Sequence, residues 1–180
     1  MDEQWKDMII CDTRERKNEH ILKWFDRHGI PYITATVHTG DYVISDRNDI
    51  AVERKMTCSE LAHNLLSHDK GRFYREVRRA HEAGIKLYIV CEHGHGIESI
   101  QDVAKWENPY GRVTGKILRE AIYKCAIGYG CEFIFCNKRQ TAKIINEILT
   151  KGEYKHEHGS GTASGKQRKV SVQSSGVHGT

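Results

Sequence analysis

The sequence contains no long apolar segment, and this absence excludes a membrane-spanning helix. No apolar run in the 180 residues approaches the roughly 20 consecutive residues that a helix needs to cross a bilayer. The first residues, MDEQWKD, are acidic and polar, whereas a secretory signal peptide begins with basic residues and continues with apolar ones. We therefore expect a protein that works inside the cell, in the cytoplasm, without membrane contact.

Internal repeats, a zinc motif and a phosphate-binding loop are also missing. No segment recurs at a solenoid period. Cys131 and Cys136, two of the six cysteines, are five positions apart on a predicted strand, so they point to opposite faces and cannot share a zinc ion. The segments GRVTGK (111–116) and GTASGK (161–166) have three residues between their glycines, whereas the phosphate-binding loop needs four.

Composition and length indicate one compact domain followed by a polar tail. Hydrophobic residues make up 38% of the chain and charged residues 29%, which allows a substantial core. After Gly152 the sequence is rich in Gly and Ser without an apolar period, so burial cannot offset the entropy of ordering it. We predict a domain over residues 1–151 and a flexible tail over residues 152–180. The KQRK cluster at 166–169 is either a phosphate contact or a solvated segment.

Strand and helix patterns alternate along the predicted domain. β-Branched and apolar runs predict strands, and apolar residues at helical spacing predict helices. The predicted strands are 8–11, 33–37, 42–45, 50–53, 86–91 and 131–136, with the polar turn DRND at 46–49. Five helices are predicted. The first includes residues 21–25, the second follows a cap at Ser59, the third starts at Arg72, the fourth starts at Thr114, and the fifth spans 141–151. This alternation predicts an α/β fold, with a mixed central sheet flanked by helices on both faces.

The segment GRFYREVRRA (71–80) predicts a helix with one basic face. Phe73 and Val77 recur on its buried side, and cations occupy the opposite side. Such cations can neutralise neighbouring phosphates and gain affinity from counterion release. The predicted phosphate-binding set is Lys70, Arg72, Arg75, Arg78 and Arg79. The alternative is an ordinary solvated face, because a net charge of +4 is too small to indicate nucleic acid by itself.

The run from Gly40 to Lys55 contains the residues of a candidate catalytic site. In GDY (40–42) and VERK (52–55), Asp41 and Glu53 can bring two carboxylates to one hard cation. Lys55 is two residues past Glu53 on an extended chain and therefore points from the same face. A Mg²⁺ ion bound there would polarise a phosphoryl oxygen, while the ammonium orients a water molecule. The alternative is a solvated strand end with a simple charge pair.

The order of the motifs in residues 8–92 resembles the nuclease domain of the xeroderma pigmentosum group F (XPF) family. The motifs are IICDTRE at 9–15, GDY, VERK, GRFYREVRRA and the strand KLYIVCE at 86–92. The resemblance implies a restriction-endonuclease-like α/β/α fold, the cofactor Mg²⁺ or Mn²⁺, and cleavage of DNA near junctions of duplex and single strand.

Carried over position by position, the resemblance assigns roles to individual residues. It implies catalytic roles for Asp12, Glu15, Asp41, Glu53 and Lys55, metal ligation by Asp12, Asp41 and Glu53, and supporting roles for Arg14, Arg54 and Glu60. The family usually places an Asp four residues after the motif lysine, where this chain has Ser59, with its nearest acid at Glu60. No paired helix-hairpin-helix pattern follows residue 151, so we expect a short form of prokaryotic or viral type.

The resulting prediction is a metal-dependent DNA endonuclease that acts near branches and works as a homodimer. The alternative is a catalytically weak DNA-binding or scaffolding subunit, because the family includes partners that lost the acids. The predicted dimer surface is the late pair of helices, where the segment from Thr114 to Tyr129 has apolar or small residues on more than one face. They include Ala121, Ile122, Cys125, Ala126 and Tyr129. Alternatively, this helix is buried between the sheet and the final helix.

Overall fold

The structure is a computed structural model that describes residues 6–155, in which strands and helices alternate. The strands are β1 (Ile9–Asp12), β2 (Tyr32–Ala35), β3 (Tyr42–Ile44), β4 (Arg47–Lys55), β5 (Lys86–Cys91) and β6 (Glu132–Phe135). The α-helices are α1 (Glu19–His28), α2 (Cys58–Leu66), α3 (Gly71–Glu82), α4 (Gly115–Tyr129) and α5 (Thr141–Lys151). Short 3-10 helices occupy His68–Lys70 and Asp102–Lys105.

The strands form one mixed sheet in the order β2-β1-β3-β4-β5-β6. Strand β1 is parallel to β2, and β4, β5 and β6 are parallel to one another, whereas β3 runs antiparallel to both of its neighbours. All strands except β3 therefore end at the same edge of the sheet, and β3 begins there. We call this edge the carboxyl edge; it brings together the residues that follow β1, β4 and β5 and those that precede β3.

Each face of the sheet is covered by its own group of helices. One hydrophobic cluster joins Ala51 and Ile89 of the sheet to α2, α3 and α4. The other joins Val52 and Val90 to α1 and α5. Because successive strand residues point to opposite faces, Glu53 and Lys55 share the face of Ala51, and Arg54 shares that of Val52. The prediction of a mixed sheet with helices on both faces is confirmed.

The position of α4 corrects the predicted dimer surface. Helices α4 and α5 pack on opposite faces of the sheet, so they do not form a late pair. Ala121, Ile122 and Cys125 are buried against the protein's own core, and Tyr129 is half-buried beside Tyr74. The predicted apolar excess of this helix is used internally, because α4 contacts α2, α3 and the 3-10 helix at Asp102–Lys105.

Two predicted boundaries also differ from the structure. The predicted hairpin is present, but its turn is at 45–46, because β4 already begins at Arg47 and pairs there with Ile44 of β3. The polar residues 47–49 form an exposed strand end, where the Arg47 guanidinium bonds the Asp49 carboxylate two residues along the same strand. Helix α2 is capped by Thr57 and not by Ser59, since Thr57 Oγ1 accepts the Glu60 N–H at 3.1 Å.

The remaining helix limits follow the sequence closely. Gly29 and Gly152 end α1 and α5 in the left-handed conformation that glycine adopts without strain. No helix in the described part of the chain is long and apolar enough to cross a membrane. The predicted tail is outside the described residues from position 156 onward, so its flexibility stays a prediction.

Candidate functional site

A tight turn at the carboxyl edge places Asp41 against β4. Gly40 has a φ of 74°, and a Cβ there would approach the Val52 carbonyl oxygen to 2.8 Å, so only glycine fits. The next residue, Asp41, donates its N–H to the same carbonyl at 2.7 Å. Its Oδ2 in turn accepts the Arg54 N–H at 2.8 Å. These bonds hold the Asp41 carboxylate beside the end of β4.

Glu53 and Lys55 form a buried ion pair on the α2–α3 face of the sheet. Lys55 Nζ donates to Glu53 Oε1 at 2.6 Å and is 5.2 Å from the centroid of the Phe73 ring. Both residues are less than one-tenth exposed, with 7% for Glu53 and 6% for Lys55. Burial lowers the pKa of Lys55, but the attraction of Glu53 outweighs it and leaves the pKa raised, so the ammonium stays charged.

The two carboxylates are electrostatically unfavourable neighbours. Burial and the charge of Glu15 raise the pKa of Asp41 to about 7. Burial and the charge of Asp41 raise the pKa of Glu53 to about 8. Within residues 6–155, Asp41 Oδ1 and Glu53 Oε2 accept no hydrogen bond. A divalent cation would compensate the repulsion and use these oxygens.

A backbone oxygen faces the same region. Arg54 donates its N–H toward Asp41, whereas the Lys55 carbonyl accepts the Glu92 N–H at 2.8 Å on the β5 side. Because the N–H and C=O of one strand residue point to the same side, the Arg54 carbonyl lies on the Asp41 side of β4. Two carboxylates and one carbonyl are therefore available at this point.

This donor set fits a partly hydrated Mg²⁺ or Mn²⁺ ion. Mg²⁺ prefers oxygen ligands, is usually bound through one or two carboxylates, and keeps several waters. No group of three or more His, Cys, Asp or Glu side chains within residues 6–155 is arranged to enclose an ion. Asp41, Glu53 and the Arg54 carbonyl would leave the remaining coordination positions of such an ion to water and substrate.

Asp12, a predicted metal ligand, is bound by a different set of donors. Its Oδ1 accepts the Arg14 N–H at 2.7 Å and Arg14 Nε at 2.9 Å. Its Oδ2 accepts Arg14 Nη2 at 2.7 Å and the Val37 N–H at 3.0 Å. These bonds, those from Arg14 first, lower the pKa of Asp12 to about 2. In this structure Asp12 joins the ends of β1 and β2, and metal ligation by Asp12 stays a prediction.

Glu15 and Arg54 belong to a network on the other face of the sheet. The buried Arg54 guanidinium bonds the Glu15 carboxylate through Nε at 2.7 Å and also through Nη2. Its Nη1 donates to Glu92 at 2.5 Å. The second Glu92 oxygen contacts His20 Nε2 and the Thr141 hydroxyl, both at 2.9 Å. Glu92 was missed as a site residue, although an acid directly after the apolar strand KLYIVC was a visible signal.

Glu60, a predicted supporting residue, contacts the start of α2. Its Oε2 accepts the Met56 N–H at 2.8 Å, while its own N–H is bound by the Thr57 hydroxyl. This arrangement is a variant of the capping box, in which the N-cap side chain and the third helical residue satisfy free backbone donors. The structure therefore gives Glu60 a helix-capping role, and a role in catalysis stays a prediction.

A cleft of about 480 Å³ connects the ion pair to α3. Glu53 and Lys55 line it from the sheet, and Arg72, Arg75 and Glu76 line it from the helix. The predicted phosphate-binding residues are all exposed: Lys70, Arg72, Arg75, Arg78 and Arg79. Glu76 was missed by sequence reasoning; its Oε1 accepts the Gly40 N–H at 3.0 Å, a contact between residues 36 positions apart.

The mixed sheet with helices on both faces defines an α/β domain that carries a buried acid–lysine pair at its carboxyl edge. The ERCC4 domain model matches residues 11–148, and the chain belongs to this family. Its resemblance to XPF nuclease domains, predicted from the motifs, is thereby confirmed.

Solved structures show the same fold. The chain is similar to XPF from Aeropyrum pernix, with a TM-score of 0.61 and 21% identity over 81% of this chain and 64% of that chain. It is also similar to XPF from Aeropyrum pernix in complex with DNA, with a TM-score of 0.60 and 21% identity over 82% and 65% of the two chains. The present chain thus spans slightly less than two thirds of either structure. No curated protein matches the sequence.

Proposed function

We propose that this protein is a metal-dependent DNA endonuclease that hydrolyses phosphodiester bonds at branched or junction DNA. The observation that carries the proposal is the pairing of two mutually repelling carboxylates, Asp41 and Glu53, with the buried ammonium of Lys55 beside a cleft lined by arginines. Membership in the ERCC4 family and the fold shared with XPF, which one of the matched structures shows in complex with DNA, support it.

In this mechanism the protein supplies position and charge. Asp41, Glu53 and the Arg54 carbonyl would hold Mg²⁺ or Mn²⁺, which supplies Lewis-acid polarisation of the phosphoryl oxygen and acidifies a bound water. Lys55 Nζ, held by Glu53 and the Phe73 ring, donates a hydrogen bond to the attacking water and offsets the negative charge that develops on the phosphate. Burial strengthens the electrostatic attraction between this ammonium and the phosphate, because little water is present to screen it.

The cleft arginines bind the substrate in this proposal. Arg72 and Arg75 line the same cleft as Lys55, so a phosphate seated there is approached by cations from the helix and from the sheet. Arg78 and Arg79 are also exposed on α3. In this proposal they contact phosphates of the DNA strand that lie farther from the cleft. Backbone contacts of this kind carry no base preference, which suits recognition of DNA shape.

The homodimer is part of the proposal, but through a different surface of α4. Two large apolar side chains of this helix are exposed, Ile127 at 82% and Ile117 at 49%. Exposed Lys124 lies between them on the same side of the helix. A second copy of the chain would cover these side chains and place two catalytic sites on the two arms of a branched substrate.

A catalytically weak DNA-binding subunit is the alternative function. The exposed arginines of α3 serve DNA binding in either case, so they do not distinguish the two. The intact set of Asp41, Glu53 and Lys55 favours catalysis, because a binding subunit gains nothing from buried carboxylates with raised pKa values.

The test is a cleavage assay on a panel of labelled DNAs. Linear duplex, single strand, flap, fork and four-way substrates are incubated with Mg²⁺, Mn²⁺ or EDTA. We expect cleavage of the branched substrates with either metal and none with EDTA. Binding without cleavage on the whole panel would support the scaffolding alternative, and equal cleavage of linear and branched DNA would contradict structure specificity.

A further inference from the structure

Glu76 connects the arginine-bearing helix to the turn that carries Asp41. Its half-buried side chain projects from α3 at the border between the cleft and the core. Its neighbour Arg75 is exposed and lines the cleft, and its neighbour Val77 is buried in the core. It reaches across to accept the Gly40 N–H at 3.0 Å. No other side chain among residues 6–155 bonds the Gly40 amide.

The strands hold the Gly40–Asp41 turn through three bonds to Asp41. Its N–H donates to the Val52 carbonyl at 2.7 Å, its carbonyl accepts the Asp12 N–H at 2.8 Å, and its Oδ2 accepts the Arg54 N–H at 2.8 Å. The segment before it is bound at Val37 by Asp12. The Glu76 side chain connects this turn to α3 through its bond to the Gly40 N–H. A shift of Gly40 relative to α3 would also move the adjacent Asp41 carboxylate.

The Glu76 contact requires an acceptor at the correct distance and does not require a negative charge. One carboxylate oxygen accepts one backbone N–H, a role that a glutamine side-chain carbonyl of the same length can fill. The charge itself opposes ionisation of the neighbouring carboxyls, since Glu76 is among the groups that raise the pKa of Asp41 and of Glu53. Reach and charge can therefore be separated by substitution.

We infer that Glu76 is a positioning residue, which fixes the Asp41 carboxylate at a set distance from the phosphate-binding arginines of α3. This inference rests on the proposed function, because it concerns the alignment of the metal-binding carboxylate with the DNA backbone. Such alignment matters greatly, since a displacement of about 1 Å in a reacting group lowers rates by roughly 100-fold.

A crossed pair of variants tests this role. Glu76→Gln keeps the reach and removes the charge, whereas Glu76→Asp keeps the charge and is too short to contact Gly40. We expect kcat of Glu76→Gln within about twofold of wild type and kcat of Glu76→Asp at least about tenfold lower, with KM for DNA little changed in both. The matched controls are Glu82→Gln and Glu82→Asp, at an exposed position of the same helix. The opposite order, an active Asp variant and an inactive Gln variant, would overturn the inference.

Amide hydrogen exchange of Gly40 gives a second readout that needs neither metal nor cleavage. In metal-free protein, Gly40 should exchange slowly in wild type and Glu76→Gln and markedly faster in Glu76→Asp. Equal exchange in all three proteins would contradict the contact and the inference with it. If the wild type shows slow Gly40 exchange but cleaves no DNA, the proposed function fails while the structural role of Glu76 stands.

Discussion

Replacing Asp41 with asparagine should abolish cleavage and, at the same time, stabilise the metal-free protein above neutral pH. Asparagine has nearly the same shape and can still accept the Arg54 N–H through its side-chain oxygen. It removes a half-buried carboxylate that lies near Glu15 and Glu53 and therefore ionises at an energetic cost. Stability and catalysis should thus change in opposite directions.

The magnitude follows from the pKa of Asp41. The pKa rises from 3.8 to about 7 in the folded protein, and at 1.36 kcal/mol for each pH unit this difference corresponds to about 4 kcal/mol as an upper limit. Asp41 is partly accessible to water, which reduces the cost, so we expect about 1–2 kcal/mol. For a domain of this size that gain raises Tm by about 3–6 °C.

The sign of the effect fixes its pH window. The folded protein binds the Asp41 proton more tightly than the unfolded chain does, so the wild type loses stability as pH rises from the unfolded pKa near 3.8 to about 7. The asparagine variant has no ionisable group at position 41, so it does not lose stability in this way as pH rises. The difference in Tm should be small at pH 4, grow to about pH 7, and remain constant above it.

Thermal unfolding measured at pH 4, 6 and 8, with and without Mg²⁺, checks this prediction. Mg²⁺ should raise Tm of the wild type at pH 8 and leave that of Asp41→Asn unchanged, because a ligand stabilises only a state that binds it. Asp46→Asn, which removes an exposed carboxylate, is the control. A variant that is no more stable than wild type at pH 8, or one that Mg²⁺ stabilises as much as wild type, would refute the reasoning.

Three further changes test separate parts of the proposal. Lys55→Ala should lower the single-turnover cleavage rate by about 100-fold or more, with Mn²⁺ binding preserved in a calorimetric titration; unchanged cleavage would remove Lys55 from the mechanism. Replacing Arg75 and Arg79 with Ala should weaken binding to all DNA sequences about equally and reduce the slope of log K against log salt by about 0.9 for each lost phosphate contact; an unchanged slope would make this an ordinary solvated face. Ile127→Asp should convert a dimer to a monomer in sedimentation at micromolar concentration without lowering Tm, since this side chain is 82% exposed; a dimer that persists would place the interface elsewhere.

Local patterns predicted most of the fold because each core helix and strand keeps a regular period. Leu118, Ile122 and Cys125 recur at helical spacing and are all buried in α4. The two-residue spacing of Glu53 and Lys55 predicted that they share one face of the strand, where they form an ion pair. Glycine at position 40 was visible as part of a motif, but its necessity depends on the Val52 carbonyl across the hairpin.

Contacts between distant segments were beyond sequence reasoning. The bond from Gly40 to Glu76 joins a turn to a helix, and the ion pair of Arg54 with Glu92 joins two strands. The position of Glu92 directly after the strand KLYIVC marks it as a candidate, but no local period or spacing indicates that it pairs with Arg54 or that Glu76 bonds Gly40. The interface residues predicted on α4 were wrong for the same reason, since the sequence shows that Ile122 is apolar but not that the protein's own core already buries it.

The most direct measurement is the single-turnover cleavage rate of one labelled flap substrate in Mg²⁺, for wild type and Asp41→Asn at equal DNA occupancy. The asparagine variant retains the cleft arginines, so DNA binding should be nearly unchanged. We expect the wild type to cut the flap, EDTA to stop it, and the variant to be slower by about 100-fold or more. Cleavage by the variant at the wild-type rate would contradict a catalytic centre at Asp41, Glu53 and Lys55.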